Sequence, residues 1–219
     1  MKHSVGLLRG AYFMSFWKNT AVIATAVSLA SCVSILPDPA PADTVYRLLT
    51  PEKSIPSAPD AVVVRIDRPG GLNVFETRDI LVTPNGRSLS SLSKAKWVEL
   101  TPLMLQESLL DHMTHTANLI GVLPSSNSRS DTRLYLTVKN FEAQFDNGDD
   151  NAPIAVVKYT VTLVNAADRK LIDSYTTQQT LRANEPRVSS IVMALEGANN
   201  AAMGDIIAWV ETQNLPRGR

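Results

Sequence analysis

The sequence is poor in cysteine, in aromatic residues and in net charge. Its 219 residues include one cysteine, 6% aromatic residues, and 21 basic against 21 acidic residues. A single cysteine cannot form a disulfide within the chain. Because the charges balance, a cationic surface for nucleic acid is not expected, and we predict no nucleic-acid partner.

Sequence motifs of common enzymes are also missing. The chain has no GxSxG nucleophile motif, no phosphate-binding loop, no dinucleotide fingerprint and no HExxH zinc motif. We therefore predict that the protein is not an enzyme and has no catalytic residue, no cofactor and no metal site.

Three groups of polar residues have the residue types of functional sites. His112 and His115 lie three apart on a predicted helix but lack further ligands for a metal, so we expect solvated histidines at the helix end. Glu107 and Asp111 lie one helical turn apart and are assigned to the solvated side of that helix. Residues 146–150 lack the ligand spacing of a calcium loop, so a hairpin turn is predicted.

The chain has one long apolar run, residues 20–32, which ends in Leu29-Ala30-Ser31-Cys32. Three basic residues and no acidic residue precede it, as in a secretory signal. The last four residues resemble a bacterial lipobox, in which the cysteine receives a diacylglycerol before the signal is removed. The resemblance predicts a lipoprotein signal peptide over residues 1–31 and lipidation at Cys32.

Other roles for this segment remain open. An uncleaved transmembrane anchor is one, although residues 20–36 are only marginally long enough to span a bilayer. An ordinary cleaved signal and a buried core cysteine are the others. Val33 follows Cys32, and in Gram-negative lipoproteins an aspartate at this place tends to retain the protein in the inner membrane. Val33 resembles the other class, so we expect an outer-membrane anchor and a domain that faces the periplasm.

Residues 32–43 contain three prolines, at positions 37, 39 and 41, which alternate with small or acidic residues. This pattern favours an extended polyproline conformation of about 3 Å per residue. We predict a semi-rigid tether about 30 Å long. Residues 44–219 are predicted to form one domain, because a chain of this length can bury a sizeable core.

Hydrophobic periodicity predicts eight strands and two helices in this domain. The strands are predicted at residues 44–49, 61–66, 74–82, 88–92, 118–123, 132–145, 154–164 and 171–182. The helices are predicted at residues 101–115, with Thr101 as N-cap before Pro102, and at residues 187–212, where Asn199 interrupts the apolar stripe.

The first helix has an apolar side and a polar side, the latter with Glu107, Ser108, Asp111 and His112. Trp97 and Trp209 are assigned to the core. The order of elements predicts an α/β (α+β) fold. It has a mixed, largely antiparallel sheet and two main helices packed on one face of a single domain.

Several features of the sequence follow one another in a recognisable order. They are the lipobox, the strand Val45-Tyr46-Arg47-Leu48-Leu49, a valine-rich strand, the strand Arg78-Asp79-Ile80-Leu81-Val82, and Lys96-Trp97 ahead of a Pro-Leu-Met-Leu-Gln-Glu-Ser-Leu helix. A three-stranded meander and a helix ending in Ile207-Ala208-Trp209-Val210 follow. In this order they resemble the ABC-type transport auxiliary lipoproteins, which include the paraquat-inducible-protein C type.

The resemblance implies an auxiliary lipoprotein of an MCE-type (mammalian-cell-entry) ABC system. Such systems move phospholipids or other hydrophobic molecules between the inner and outer membranes. The expected partners are the membrane, through the lipid on Cys32, an MCE-domain protein that forms the conduit, and the ABC permease and ATPase. A homo-oligomer would suit a symmetric conduit.

Two other functions remain open. A stand-alone lipid- or solute-binding lipoprotein would need a deep apolar pocket. A lipoprotein that assembles envelope structure without transport would bind another envelope protein.

Overall fold

Nine strands and two helices are formed by residues 42–50, 52, 54–84 and 86–216, which the computed structural model describes. The predicted signal segment, Cys32, Val33 and most of the predicted tether lie outside these ranges. The strands are β1 (Thr44–Tyr46), β2 (Val62–Ile66), β3 (Gly70–Gly71), β4 (Asp79–Thr83), β5 (Ser90–Trp97), β6 (Leu119–Val122), β7 (Thr132–Gln144), β8 (Ile154–Asn165) and β9 (Leu171–Arg182). The helices are α1 (Thr101–Met113) and α2 (Val188–Thr212).

Strand β7 is paired along both edges. On one edge, β8 runs antiparallel to it over the whole length of the strand. On the other edge, the short strands β2, β3 and β4 lie parallel to it, one after another. Beyond these neighbours, β9 extends the sheet from β8, β6 extends it from β2, and β5 and β1 extend it from β4.

The mixed sheet is confirmed, although parallel pairings are more numerous than the prediction implied. Among the described residues, five of the eight strand pairings are parallel. The three antiparallel pairings include the two longest ladders, β7 with β8 and β8 with β9. The antiparallel meander therefore forms most of the sheet by length.

A β-bulge between Val138 and Asn140 keeps the apolar residues of β7 on the buried side of the sheet. Before the bulge, every second residue from Leu134 to Val138 is buried, and after it burial resumes at Phe141 and Ala143. One extra residue restores the alternation that strict pleating would have shifted to the opposite face. In the sequence, the bulge is visible as a spacing of three residues, from Val138 to Phe141, where strict alternation would give two.

The β4–β5 hairpin is present, but the predicted ends of its strands are wrong. The first strand was expected from residue 74, whereas a 3-10 turn (Asn73–Phe75) precedes β4 and places Phe75 in the core. The second strand continues to Trp97 instead of ending at residue 92. The additional residues of β5 are accommodated by a bulge in which Lys94 has a φ of 57°. Because these residues are mostly polar, the apolar pattern did not predict that the strand continues through them.

Both helices pack on one face of the sheet, as predicted. Helix α2 lies over β9, β8 and β7, and α1 lies over β6 and β2 and touches α2. The opposite face is polar, as in the pair of hydroxyls from Thr160 and Thr176, which lie 3.0 Å apart across β8 and β9. Within the described ranges, neither helix has the length and apolar character needed to cross a bilayer.

Helix α1 begins without a side-chain cap. Thr101, the predicted N-cap, is the first helical residue, and Leu100 occupies the cap position. The N–H and the hydroxyl of Thr101 both donate to the Thr77 carbonyl, at 2.9 and 3.0 Å. The loop before β4 therefore supplies the hydrogen-bond acceptor for the first N–H group of the helix. Pro102 follows in the first turn, as expected.

One buried polar network joins the sheet to both helices. The Tyr159 hydroxyl on β8 donates to the Asn199 side-chain carbonyl at 2.8 Å, and the Asn199 amide donates to the Ser108 hydroxyl at 2.9 Å. All three residues are buried. Burial raises the pKa of Tyr159 well above its usual value, so its hydroxyl remains a donor. Asn199 interrupts the apolar stripe because it links the two helices to the sheet.

Gly71 on β3 should be intolerant of a side chain. A Cβ there would lie 2.8 Å from the backbone carbonyl oxygen of Val138, which the β7 ladder holds in place. We expect Gly71→Ala to lower the free energy of unfolding by about 1–3 kcal/mol, as overpacking does. Chemical denaturation measures this change.

The matched control is Gly70→Ala, because a Cβ at Gly70 meets no atom within 4 Å. It should change the free energy of unfolding by less than about 0.5 kcal/mol. Equal effects of the two substitutions would contradict the close approach of β3 to β7.

The Tyr159–Asn199–Ser108 network predicts a coupling between two positions. Tyr159→Phe leaves a buried amide oxygen without a donor and should lower the free energy of unfolding by about 1–3 kcal/mol. In an Asn199→Leu background the same substitution should cost less, with a coupling energy of about 0.5–3 kcal/mol from denaturation of the four proteins. Strictly additive effects would show that the hydrogen bond does not stabilise the fold.

Candidate functional site

The domain begins with a strand bound to the edge of the sheet. Strand β1 lies parallel to β5, with Thr44 opposite Ala95 and Tyr46 opposite Trp97. The pairing continues past the strand, where the Val98 N–H donates to the Tyr46 carbonyl at 2.6 Å. The first described residues after the predicted tether are therefore fixed to the sheet.

Residues 47–50, named here the N-terminal strap, are held by helix α2. The Leu49 N–H donates to the Glu196 carboxylate at 2.8 Å, and the Asn200 amide donates to the Leu49 carbonyl at 3.0 Å. Glu196 and Asn200 lie four apart and therefore face the same side of the helix. This pair of hydrogen bonds, named the clasp, satisfies both main-chain groups of Leu49 as a neighbouring strand would.

A groove of about 390 Å³ lies between the N-terminal strap and helix α1. Its apolar lining comes from Leu48, Val98, Leu103 and Met104, and its charged lining from Arg47, Glu99, Glu107 and Asp111. Leu103, Glu107 and Asp111 follow one another at intervals of four residues, so they form one line along α1. The groove thus combines an apolar surface with an excess of carboxylates.

The side of α1 predicted to be polar is only partly exposed. Glu107 and Asp111 are exposed, as expected. Ser108 and His112 are buried, with only 4% and 3% of their surface exposed to solvent. Helix α2 packs on the side that holds Ser108, to which Asn199 is hydrogen-bonded. The prediction of a solvated His112 is therefore wrong.

His112 is a buried residue. Its Nδ1 lies 2.7 Å from the Ser108 carbonyl, to which it donates. Burial lowers the pKa of the His112 imidazole, and the hydrogen bond to Ser108 opposes this effect. The His115 ring lies 5.0 Å from that of His112. In the part of the chain that the structure describes, no three His, Cys, Asp or Glu side chains are grouped to hold a metal ion.

The two assigned core tryptophans differ. Trp97 is fully buried and its ring lies 5.8 Å from that of Phe141, which confirms its assignment. Trp209 is half-buried and stacks on Tyr175 at 5.4 Å, while its indole N–H donates to Asp173 at 3.3 Å. Trp209 packs against the core at its margin, so its assignment to the core is confirmed only in part.

Residues 146–150 turn the chain between β7 and β8, as predicted. Gly148 has a φ of 90°, a conformation that favours glycine. Arg182 at the end of β9 forms an ion pair with Asp146 at 2.6 Å. The acidic residues of this segment therefore belong to a hairpin turn.

Sequence reasoning missed the clasp. The only signal in the sequence was the pair Asn199-Asn200 within the apolar stripe of α2, of which Asn199 faces the core and Asn200 faces Leu49. The predicted lipidation site Cys32 lies outside the described residues and stays a prediction.

Among solved structures, the domain is similar to protein XCC0632 from Xanthomonas campestris, with 19% identity, coverage of 76% of this chain and 94% of that chain, and a TM-score of 0.66. A second solved structure, of an uncharacterized protein, is 12% identical to this chain and has a TM-score of 0.62. The match covers 77% of this chain and 99% of that chain. PelC from Paraburkholderia phytofirmans, a dodecamer, is more distant, with 11% identity, 71% and 92% coverage, and a TM-score of 0.44. Among curated proteins, none matches the sequence.

The first two likenesses define the class of protein by its fold, a mixed α/β domain with two helices on one face of the sheet. The family model described as "ABC-type transport auxiliary lipoprotein component" matches residues 46–207. The chain therefore belongs to the family of ABC-type transport auxiliary lipoproteins, which confirms the resemblance seen in the sequence. This is a family of transport components in the bacterial envelope and not a known enzyme family.

The clasp predicts a local effect of Glu196 substitutions. Glu196→Ala removes the acceptor of the Leu49 N–H, so the Leu49 amide should exchange with deuterium about tenfold faster. Glu196→Gln keeps a carbonyl oxygen at the same place and should remain close to the wild-type rate. Hydrogen exchange followed by NMR measures both, and an unchanged Leu49 rate in Glu196→Ala would show that the clasp does not hold the strap.

Proposed function

We propose that this protein is an outer-membrane-anchored periplasmic lipoprotein that serves as auxiliary component of an MCE-type ABC transport system. The system would carry phospholipids or other hydrophobic molecules between the inner and outer membranes. The observation that carries the proposal is the family match over residues 46–207. The ATPase, the permease and the MCE-domain conduit are separate proteins in this proposal.

The lipid anchor is assigned to Cys32. Leu29-Ala30-Ser31-Cys32 ends the one long apolar run of the chain, and three basic residues precede that run. Two or more acyl chains give a stable anchor, since each buried methylene contributes about 0.8 kcal/mol and one chain alone binds reversibly. Val33 after the cysteine supports sorting to the outer membrane.

The tether and the strap give this anchor a mechanical connection to the domain. Residues 32–43 supply three prolines and about 30 Å of reach. Behind them, β1 is paired with β5, and Leu49 is bound to Glu196 and Asn200. A load applied through the lipid would therefore reach both the sheet and helix α2 instead of a loose chain end.

The role proposed for the domain is attachment of the conduit's outer end. We assign partner binding to the surface of the domain, since the groove between the strap and α1 is open to solvent and lined partly by carboxylates. An acyl chain stored by a stand-alone lipid-binding protein needs an enclosed apolar pocket. A ring of identical subunits would match a symmetric conduit, so a homo-oligomer belongs to the proposal.

The test is a crosslinked pull-down from native envelopes, with wild-type protein and Cys32→Ala in parallel. We expect the wild type to recover an MCE-domain protein and an ABC permease. Cys32→Ala should be missing from the outer membrane and lose most of that recovery, because without the lipid the domain is no longer held at the outer membrane.

Circular dichroism of the Cys32→Ala protein is the control, and it should match that of the wild-type domain because residue 32 precedes the fold. Recovery of neither transport protein by a lipidated, outer-membrane wild-type protein would overturn the transport role. Equal recovery of Cys32→Ala and wild type in the outer membrane would overturn the lipid anchor.

A further inference from the structure

The groove between the N-terminal strap and α1 is built as a surface for a partner. Leu103 and Val98 present apolar side chains to solvent there, and Val98 is 47% exposed. The surrounding charges are three carboxylates, Glu99, Glu107 and Asp111, and one guanidinium, that of Arg47. Apolar side chains inside a charged border are the usual arrangement of an interaction site.

The two carboxylates on α1 are available to a partner. No ion pair between described residues uses Glu107 or Asp111, and both side chains are exposed. Together with Glu99 they leave the groove with an excess of negative charge over the single Arg47. An occupant with positive charges is therefore favoured over a neutral or anionic one.

The arrangement of side chains along α1 indicates which kind of structure would fit the groove. Leu103, Glu107 and Asp111 lie in one line about 12 Å long, since eight residues of helix rise by 1.5 Å each. A helix that lies alongside α1 can place apolar side chains against Leu103 and basic side chains against the two carboxylates, at its own spacing of three and four residues. The volume of about 390 Å³ suits a few side chains and not a folded domain.

We propose that the groove between the N-terminal strap and α1 binds a basic amphipathic helix of a protein partner. Its apolar side chains would contact Leu103 and Val98, and its Lys or Arg side chains would pair with Glu107 and Asp111. An anionic membrane surface is disfavoured by the same carboxylates. The inference does not depend on the transport role, because it concerns only the chemistry of this groove.

The clasp positions one wall of this groove. Glu196 and Asn200 hold Leu49, which lies between the groove residues Leu48 and Thr50. Glu196 is therefore a positioning residue, and Glu196→Ala should weaken binding although Glu196 does not line the groove. Glu196→Gln, which keeps an acceptor for Leu49, should restore it.

The probe is a fluorescein-labelled helical peptide of about 18 residues, composed of leucine and lysine with one apolar face, titrated with the domain by fluorescence anisotropy. A peptide of the same pattern with glutamate in place of lysine is the control probe. We expect binding of the lysine peptide only, and weaker binding at higher salt because exposed ion pairs are screened.

Two groove variants and one matched variant locate the site. Glu107→Gln with Asp111→Asn should raise the Kd of the lysine peptide about tenfold, and Leu103→Ser should raise it by a similar factor through lost apolar contact. Asp149→Asn with Asp150→Asn removes the same charge from the exposed β7–β8 turn and should change the Kd less than about twofold. Circular dichroism confirms that each variant is folded.

Each other result overturns the proposal. Equal binding of both peptides would mean that the groove does not recognise charge. Equal effects of the groove and turn variants would mean that only the net charge of the domain is recognised. Binding to vesicles of phosphatidylethanolamine and phosphatidylglycerol that the groove variants abolish would assign the groove to the membrane. Self-association of the domain that Leu103→Ser abolishes would assign it to a second copy. None of these results tests the lipid anchor or the transport role, which the pull-down decides separately.

Discussion

Strand β7 supports the sheet because both of its edges are paired. The long antiparallel ladder with β8 on one edge carries β9 and, on its buried face, helix α2. On the other edge, three parallel strands from separate parts of the chain bind in turn, and through β4 the sheet reaches β5 and finally β1. The position of the chain's first described residues therefore depends on β7, although β1 is paired with β5 and not with β7. The bulge after Val138 keeps both halves of this strand facing the same core.

A second set of polar contacts fixes the helices against that sheet. Neighbouring side chains of α2 form two different sets of hydrogen bonds. Asn199 points inward and is bonded to Tyr159 and Ser108. Asn200 and Glu196 point outward and are bonded to Leu49. The inward network sets the position of α1, and the outward clasp sets the position of the N-terminal strap. The groove lies between these two elements, so its width depends on one short stretch of α2.

Much of the fold could be predicted from the sequence, because its long strands and both helices have strong periodic patterns. The step from Val138 to Phe141 even contained the signal of the bulge, although simple alternation was assumed there. The burial of His112 could not be predicted, because it depends on how α2 packs on α1 and not on the pattern within α1. The partial exposure of Trp209 at the margin of the core could not be predicted either, since an apolar stripe does not tell which of its residues reach the edge of the sheet.

The candidate site was harder to predict than the fold. The clasp joins Leu49 to residues about 150 positions away, and both of its bonds use main-chain groups that no side-chain pattern reveals. By contrast, the proposed anchor at Cys32 rests on sequence alone, because a lipobox is a short linear signal that a modifying enzyme recognises in an extended chain. Family membership and this signal together make the anchor the central claim about how the protein works.

The most direct measurement of that claim is the mass of the N-terminal peptide of the protein purified from native membranes. The account predicts a chain that begins at Cys32 and carries a diacylglycerol on its thiol and an acyl chain on its amino group. An intact signal segment, or a first residue other than Cys32 with no lipid attached, would contradict it.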